Sequence, residues 1–200
     1  MTGYWFIQDR RDGRVRLQLR SGDTERGRAS VSTQLALAQF QGLTQEQIAS
    51  RQCINFQLVR EVGTFSFSGS FRKRAGKGAW TFNPLQGFLA LLHEYGYEQP
   101  TNEQLFALAA SDVRGSYIVE LDREGYRNVP FSQLVALHSN GVSLPYIKSL
   151  GDAGYKGLTA PQLIALRTNG VDREFIERLE RIGQKNLTVQ SLLSLRTNGL

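Results

Sequence analysis

The second half of the chain repeats every 29 residues, and this feature limits the possible folds more than any other. An aromatic residue stands at 117, 146 and 175, each time followed by Ile and, after two more residues, by Leu. The positions that keep the same step are the glycines at 96, 125, 154 and 183 and the leucines at 105, 134, 163 and 192. A fixed period of this length is typical of stacked helical arrays. We therefore expect about four helix–turn–helix repeats over residues 84–200.

Each repeat carries the start and stop signals of two short helices. In the third copy, Ser143 can cap the first helix and Gly154 can end it in the left-handed conformation. Thr159 and Gln162 then form a capping box for the second helix. Helices of two to three turns are too short to be stable alone in water. Their apolar stripes are therefore expected to pack against neighbouring helices and repeats, and whether the array continues beyond Leu200 stays open.

The turn residues differ between copies. The first copy has Ser111-Asp112 where later copies have Asn-Gly, which suggests a different turn. Only the third copy has a second glycine, Gly157, after its first helix, and Asn128 stands at the matching position of the second copy. A helix-hairpin-helix motif needs a Gly-hydrophobic-Gly turn against phosphate, so we do not expect phosphate binding there. The tyrosines that follow the turn glycine, at 97, 126 and 155, are interpreted as packing residues.

Residues 1–83 predict a small antiparallel β domain with five or six strands and one helix. Asp12-Gly13 is a hairpin signal, and the strand 14–20 that follows alternates strictly between apolar and polar residues. The other predicted elements are a strand at 4–10, a loop at 21–28, a strand within 29–40, a capped helix at 43–48 and a strand at 54–62. Gly69 interrupts a row of phenylalanines and indicates a bulge or close packing. The predicted fold class is therefore α+β: an antiparallel β domain followed by a solenoid-like array of α-helical hairpins.

The positive charge of the chain lies in this first domain. Residues 1–87 contain 13 Lys and Arg against 6 Asp and Glu, whereas residues 88–200 contain 11 against 12. An anionic partner should therefore meet the first domain. The candidate polyanion-binding residues, which include a predicted basic turn over 72–78, are Arg14, Arg16, Arg20, Arg72, Lys73, Arg74 and Lys77. The competing interpretation is that exposed arginines prevent edge strands from pairing.

The sequence offers no recognisable catalytic or metal site. Cys53 is the single cysteine, and we expect it to be a small buried residue at the start of a strand. His93 and His138 lie in different repeats without metal-ligand spacing, and His138 stands where a cation complements the end of a helix. The Gly76-Lys77-Gly78 run lacks the features of a phosphate loop. We therefore expect no enzyme activity, cofactor or metal, with an unrecognised interdomain active site as an alternative.

No stretch approaches the roughly 20 apolar residues of a membrane span, and the N-terminus lacks a signal pattern. We accordingly expect no membrane insertion of this chain. The compartment stays open, because the chain can also be the mature part of an exported protein.

Three segments together resemble a bacterial module found outside the cytoplasm: 40–44, 56–71 and 78–84. The repeats that follow, as in Gly154-Tyr155 through Gly170-Val171, extend the resemblance over about residues 35–200. The module is similar to the C-terminal region of membrane metallopeptidase sensor-transducers related to the β-lactam antirepressors, and to stand-alone relatives of unassigned role. The resemblance implies a sensory or interaction module in the periplasm or another extracytoplasmic space. The zinc motif of the peptidase is absent here, so the resemblance carries no protease activity.

These observations favour a non-catalytic binding or sensory module that interacts with a protein or peptide through the helical repeats. The first alternative is binding of nucleic acid or another polyanion through the basic β domain. The second is the interdomain enzyme.

Overall fold

The protein has an α+β fold, in which an antiparallel sheet is followed by a series of helices. The structure, a computed structural model, describes residues 1–22 and 29–199, so most of the loop predicted over 21–28 lies outside the described residues. The strands are β1 (Thr2–Asp9), β2 (Arg14–Ser21), β3 (Ala29–Ala36), β4 (Phe40–Gln41), β5 (Cys53–Val59), β6 (Gly63–Arg72) and β7 (Ala75–Pro84). They form one sheet in the order β3-β2-β1-β7-β6-β5-β4, with antiparallel neighbours throughout.

Nine α-helices lie in the described part of the chain. They are α1 (Gln45–Ala49), α2 (Gln86–Glu94), α3 (Asn102–Ala110), α4 (Gly115–Arg123), α5 (Phe131–Ser139), α6 (Leu144–Asp152), α7 (Ala160–Thr168), α8 (Arg173–Arg181) and α9 (Val189–Thr197). The capping box predicted at Thr159 is confirmed, and Thr44 and Thr101 form capping boxes as well; each of the three side chains accepts from the backbone N–H three residues on.

One face of the sheet is an aromatic core that is fitted around glycines. Trp5 lies against Gly69 and Gly78, and its indole Nε1 donates to the Ser68 carbonyl at 3.1 Å. Trp80 lies over Gly3 in the same way. A Cβ atom at any of these glycines would lie within 3 Å of a tryptophan ring. The close-packing interpretation of Gly69 is therefore correct, and its pairing with Ile54 and Gly78 runs through without a bulge.

The inner residues Val15, Leu17 and Leu19 are buried as predicted. α3 covers part of the same core, because Phe106 stacks on Trp80 with ring centroids 5.2 Å apart. α3 therefore belongs to the same compact unit as the sheet, although its sequence is that of the repeat. That unit comprises Met1–His93 and Glu98–Asp112, and the second unit comprises Glu94–Tyr97 and Val113–Leu200.

Three expectations about the sheet are wrong. It has seven strands rather than five or six, because the two residues of β4 pair with β5. The basic turn is only Lys73-Arg74, since Gly76 and Gly78 lie within β7, where they make room for aromatic rings. Cys53 is exposed rather than buried, because the apolar row of β5 starts one residue later at Ile54.

In the helical unit, corresponding helices of successive repeats pack on each other: α4 on α6, α5 on α7 and α7 on α9. Tyrosine hydroxyls link the repeats at a constant spacing. Tyr117 and Tyr146 donate to backbone carbonyls 25 residues on, at 2.7 and 2.6 Å. Tyr126 and Tyr155 donate to carbonyls 32 residues on, at 2.7 and 2.8 Å. The residues interpreted as packing aromatics thus also hydrogen bond between repeats.

The corresponding turns of successive repeats have the same backbone conformation, although the residues in them differ. The residue that follows the α3 cap, Asp112, has φ +54°, and the matching Gly141 and Gly170 have φ +70°. The suggestion of a different turn in the first copy is therefore wrong. Asp is one of the few residues other than glycine that visit the left-handed region readily. Asn128 takes the same conformation as Gly157, with φ values of 52° and 65°.

Candidate functional site

The sheet has a second face, which we call the outer face, opposite the core residues Trp5, Phe67 and Trp80. Because successive side chains of a strand point to opposite faces, the strand register fixes which residues meet there. One row across the sheet is Arg16, Gln8, Ala75, Arg72. The next is Gln18, Phe6, Lys77, Ser70, Cys53, and the third is Arg20, Tyr4, Ala79, Ser68, Asn55.

Five of the seven candidate cations share this outer face. They are Arg14, Arg16, Arg20, Arg72 and Lys77, all exposed except Arg20, which is half-buried. The structure thus brings residues of β2 together with residues of the consecutive strands β6 and β7, which are distant from β2 in sequence. The other two candidates, Lys73 and Arg74, lie in the turn between β6 and β7.

Arg74 is engaged in a local structural contact. Its Nε donates to Asp9 Oδ2 at 2.7 Å, and its Nη2 donates to Gln45 Oε1 at 2.9 Å. The Asp9 carboxylate also accepts from the backbone N–H of Arg11 at 3.0 Å. Burial opposes ionisation of Asp9, but these hydrogen bonds and the Arg74 charge outweigh it and lower the pKa of Asp9 below its ordinary value of 3.8. Arg74 therefore anchors the turn.

Two aromatic rings lie among the outer-face cations. Tyr4 and Phe6 are adjacent outward residues of β1, and both are half-buried. The Arg20 guanidinium lies 5.0 Å from the centre of the Phe6 ring, a cation–π distance. Lys77 is the β7 neighbour of Phe6. Each of the two rings therefore has a cation as a cross-strand neighbour, Arg20 for Tyr4 and Lys77 for Phe6.

The outer face carries no carboxylate in the described strands. The seven strands contain one acidic residue, Asp9, and it is buried on the opposite face beside Arg74. Clustered cations create a positive potential that attracts anions. The cations span a compact area, since Arg16 and Arg20 are about 13 Å apart along β2 and Arg16 and Arg72 about 14 Å apart across three strand spacings.

Beside the aromatic rings, the outer face becomes a shallow trough of about 530 Å³. Its outward side chains are amides, hydroxyls and one methyl group: Gln41, Asn55, Gln57, Ser66, Ser68, Ala79 and Thr81. Two smaller depressions, of about 370 and 280 Å³, adjoin Phe6 and Tyr4. The trough is formed because the outward residues of β6 and β7 here, such as Ser66, Ser68 and Ala79, have small side chains. The face therefore offers hydrogen-bond donors and acceptors next to rings and cations.

The helical unit has a groove of its own, of about 390 Å³, between the second and third repeats. It is lined by Tyr126, Lys148, Tyr155 and Lys156, together with Glu124, whose carboxylate lies 3.5 Å from Lys148 Nζ. The hydroxyls of both tyrosines bond to backbone carbonyls. This groove presents both signs of charge.

The histidines and the cysteine do not meet. His93 is exposed on α2, His138 packs its ring edge-on against Tyr117 in the last turn of α5, and Cys53 is exposed on β5. Among residues 1–22 and 29–199, no group of three or more His, Cys, Asp and Glu side chains could hold a metal ion.

Sequence reasoning identified the cations, but neither the particular rings that accompany them nor the trough. Tyr4 and Phe6 belong to a strand that is aromatic or aliphatic at nearly every position, so hydrophobic alternation does not indicate which of its residues point outward. The alternation of side chains along the strand contains this information. Trp5 and Ile7 point inward, so Tyr4 and Phe6 between and beside them point outward. The serines of β6 alternate with phenylalanines for the same reason.

No protein-family model matches the chain, and comparison with curated proteins and with solved structures finds no similar chain. None of the helices in the described ranges is long and apolar enough to cross a lipid bilayer.

Proposed function

We propose that this protein is a non-catalytic binding protein and that the outer face of its sheet binds single-stranded nucleic acid. One observation carries the proposal: the strand register gathers Arg14, Arg16, Arg20, Arg72 and Lys77 around Tyr4 and Phe6, on a face to which the described strands contribute no carboxylate.

Each component of the face fits a chemical group of a single strand. Cations neutralise phosphates, and this contributes most of the sequence-independent affinity. Aromatic rings at a binding surface stack on bases, at about 1–3 kcal/mol per base. The amides of Asn55 and Gln57 and the hydroxyls of Ser66 and Ser68 can hydrogen bond to the exposed base edges of an unpaired strand. The area between the cations suits two or three nucleotides, the number that a sheet with aromatic residues commonly stacks.

A single strand fits this face better than a duplex does. Reading a duplex requires a helix or a two-stranded ribbon that enters a groove, whereas the outer face is a broad sheet surface with shallow depressions. Its rings can stack only on bases that are not already stacked within a helix.

The test is fluorescence anisotropy of a labelled oligonucleotide of about 12 nucleotides, within the usual range of single-strand site sizes. If four cations contact phosphates, the logarithm of the affinity should fall with the logarithm of salt with a slope of about −3, which is about 50-fold between 50 and 200 mM salt. The variant Arg16→Gln/Arg20→Gln/Arg72→Gln/Lys77→Gln should lose binding and most of the salt dependence.

The matched control removes the same charge elsewhere, as Arg51→Gln/Arg123→Gln/Arg181→Gln/Lys185→Gln, and all four of these side chains are exposed. We expect it to bind nearly as the unchanged protein does. Equal losses in both variants would mean that net charge alone attracts the oligonucleotide. Absence of binding at 50 mM salt, or binding to vesicles of anionic lipid but not to the oligonucleotide, would overturn the proposal.

A second candidate is binding of a protein or peptide by the helical unit, as a solenoid-type scaffold, and the groove beside Lys148 and Glu124 favours it. A peptide with both signs of charge would match the lining of the groove. The resemblance to sensor-transducer modules outside the cytoplasm would agree with this role. Loss of partner capture in Lys148→Ala/Lys156→Ala, with oligonucleotide binding unchanged, would assign the two activities to different units.

A further inference from the structure

One edge of the sheet lacks the usual protection against pairing with another strand. β3 is eight residues long, lies at the end of the strand order, and contains no charged residue and no proline. The opposite end of the sheet is protected in a common way, since β4 has only two residues. Natural proteins usually shorten, charge or interrupt an edge strand because its free backbone groups invite another strand. A long and uncharged edge strand is therefore well suited to pair with a strand of another chain.

The hydrogen-bond pattern shows which backbone groups are directed to the free side. The Leu37 N–H donates to the Gly13 carbonyl at 2.8 Å, just beyond the last residue pair of β2 and β3. Hydrogen-bonded pairs alternate along an antiparallel ladder, so Val31, Thr33 and Leu35 bond to β2. The N–H and C=O groups of Ser30, Ser32, Gln34 and Ala36 are directed away from β2. Among the described residues, no backbone group outside β2 bonds to this strand.

The side chains of this edge are also incompletely covered. Val31, Thr33 and Leu35 continue the buried rows of Leu19, Leu17 and Val15, yet each stays half-exposed. A strand added to β3 would complete the burial of this row, provided that it placed apolar residues opposite Val31 and Leu35.

We propose that β3 pairs antiparallel with β3 of a second copy of this chain, with a two-fold axis at Thr33. In this register Val31 faces Leu35 of the second copy on the inner face, and Ser32 faces Gln34 of the second copy on the outer face. The outward backbone groups of the even-numbered residues then meet one another and form about eight hydrogen bonds. The strand is thus complementary to itself in backbone, size and charge, and a two-fold interface requires such a patch.

The first experiment measures the mass of the full chain in solution by sedimentation, over a range of concentrations. The unchanged protein should sediment as two chains. Ser32→Pro removes one outward N–H that β2 does not use, so it should sediment as one chain while its tryptophan fluorescence stays native. Ser32→Ala retains the N–H and loses only the hydroxyl that accepts from Arg16, so it should sediment as two chains. A single chain for the unchanged protein, or two chains for folded Ser32→Pro, would overturn the proposal.

The second experiment tests the register and does not depend on the folding of the proline variant. In a Cys53→Ser background, Thr33→Cys places two cysteines at a pair that is not hydrogen-bonded, with Cα atoms about 4.5 Å apart, within disulfide range. Oxidation should cross-link this variant. Val31→Cys alone should not cross-link, whereas a mixture of Val31→Cys and Leu35→Cys chains should. Absence of the Thr33→Cys product, or equal cross-linking of all single variants, would contradict the two-fold register.

Discussion

Asp9 illustrates how one buried residue can stabilise a hairpin turn of the sheet. Its carboxylate is the single acid of the strands, it lies buried on the inner face, and it holds the Arg74 side chain and the Arg11 N–H. Both residues between β6 and β7 have positive φ, 51° for Lys73 and 64° for Arg74, as a tight two-residue hairpin turn requires. Non-glycine residues rarely adopt this conformation, so the Asp9 contacts stabilise the turn.

We expect Asp9→Asn to lower the free energy of unfolding by about 2–3 kcal/mol at pH 7, since hydrogen bonds to a charged group contribute about 1.5–3 kcal/mol. The folded-state pKa is lowered, so the stabilisation is fully present above the ordinary value of an aspartate and is lost as the pH falls below it. The difference between the proteins should therefore be constant near neutral pH and shrink below about pH 4.

Urea titrations between pH 3 and 7 would measure this difference. Asp12→Asn is the control, because Asp12 is exposed and accepts only a local hydrogen bond from the Arg14 N–H. A pH-independent difference for Asp9→Asn would mean that shape, rather than charge, stabilises the turn.

Individual elements were predictable where local chemistry decides them. The cap residues Thr44, Thr101 and Thr159 and the alternation of β2 follow from rules that act over a few residues. The turn between β6 and β7 was not predictable in this way, because its sequence is rich in glycine beyond the true turn. Those glycines leave space for aromatic rings of other strands, so their role depends on contacts between different strands.

The tyrosine hydroxyls determine how strongly each repeat holds the next. Tyr146→Phe should destabilise the protein by about 1–2 kcal/mol, because the buried Val171 carbonyl loses its partner. Tyr95→Phe is the matched control, since the Tyr95 hydroxyl makes no hydrogen bond among the described residues. Thermal unfolding followed at 222 nm would compare them, and equal midpoints would show that the ring alone provides the stability.

The same tyrosines predict sensitivity to alkaline pH. Burial raises the pKa of Tyr146 to about 12 and also raises that of Tyr117. The stabilisation is therefore complete below the ordinary value of 10 and is lost as the pH rises above it. Tyr146→Phe should accordingly lose less stability than the unchanged protein between pH 9 and 11 in the same thermal experiment.

At the scale of the whole molecule, the sequence predicted the α+β class and most of the candidate cations, but not the face on which they meet. Composition located the excess of positive charge in the first 87 residues. The gathering of Arg16, Arg72 and Lys77 depends on the strand order, in which β7 inserts between β1 and β6. Such an order results from pairings between distant segments, and local patterns do not encode it.

The chain divides into two compact units, and this leads to a prediction about unfolding. Both tryptophans, Trp5 and Trp80, are buried in the first unit, so their fluorescence reports that unit. Leu163 is fully buried in α7, and Leu163→Ala should cost about 2–5 kcal/mol. In urea we expect this variant to shift the transition at 222 nm to lower concentration and to leave the tryptophan transition in place, because proteins with several cores need not unfold in one step. Leu17→Ala, in the core of the sheet, should instead move the tryptophan transition. A common shift of both signals in either variant would show that the units unfold as one cooperative structure.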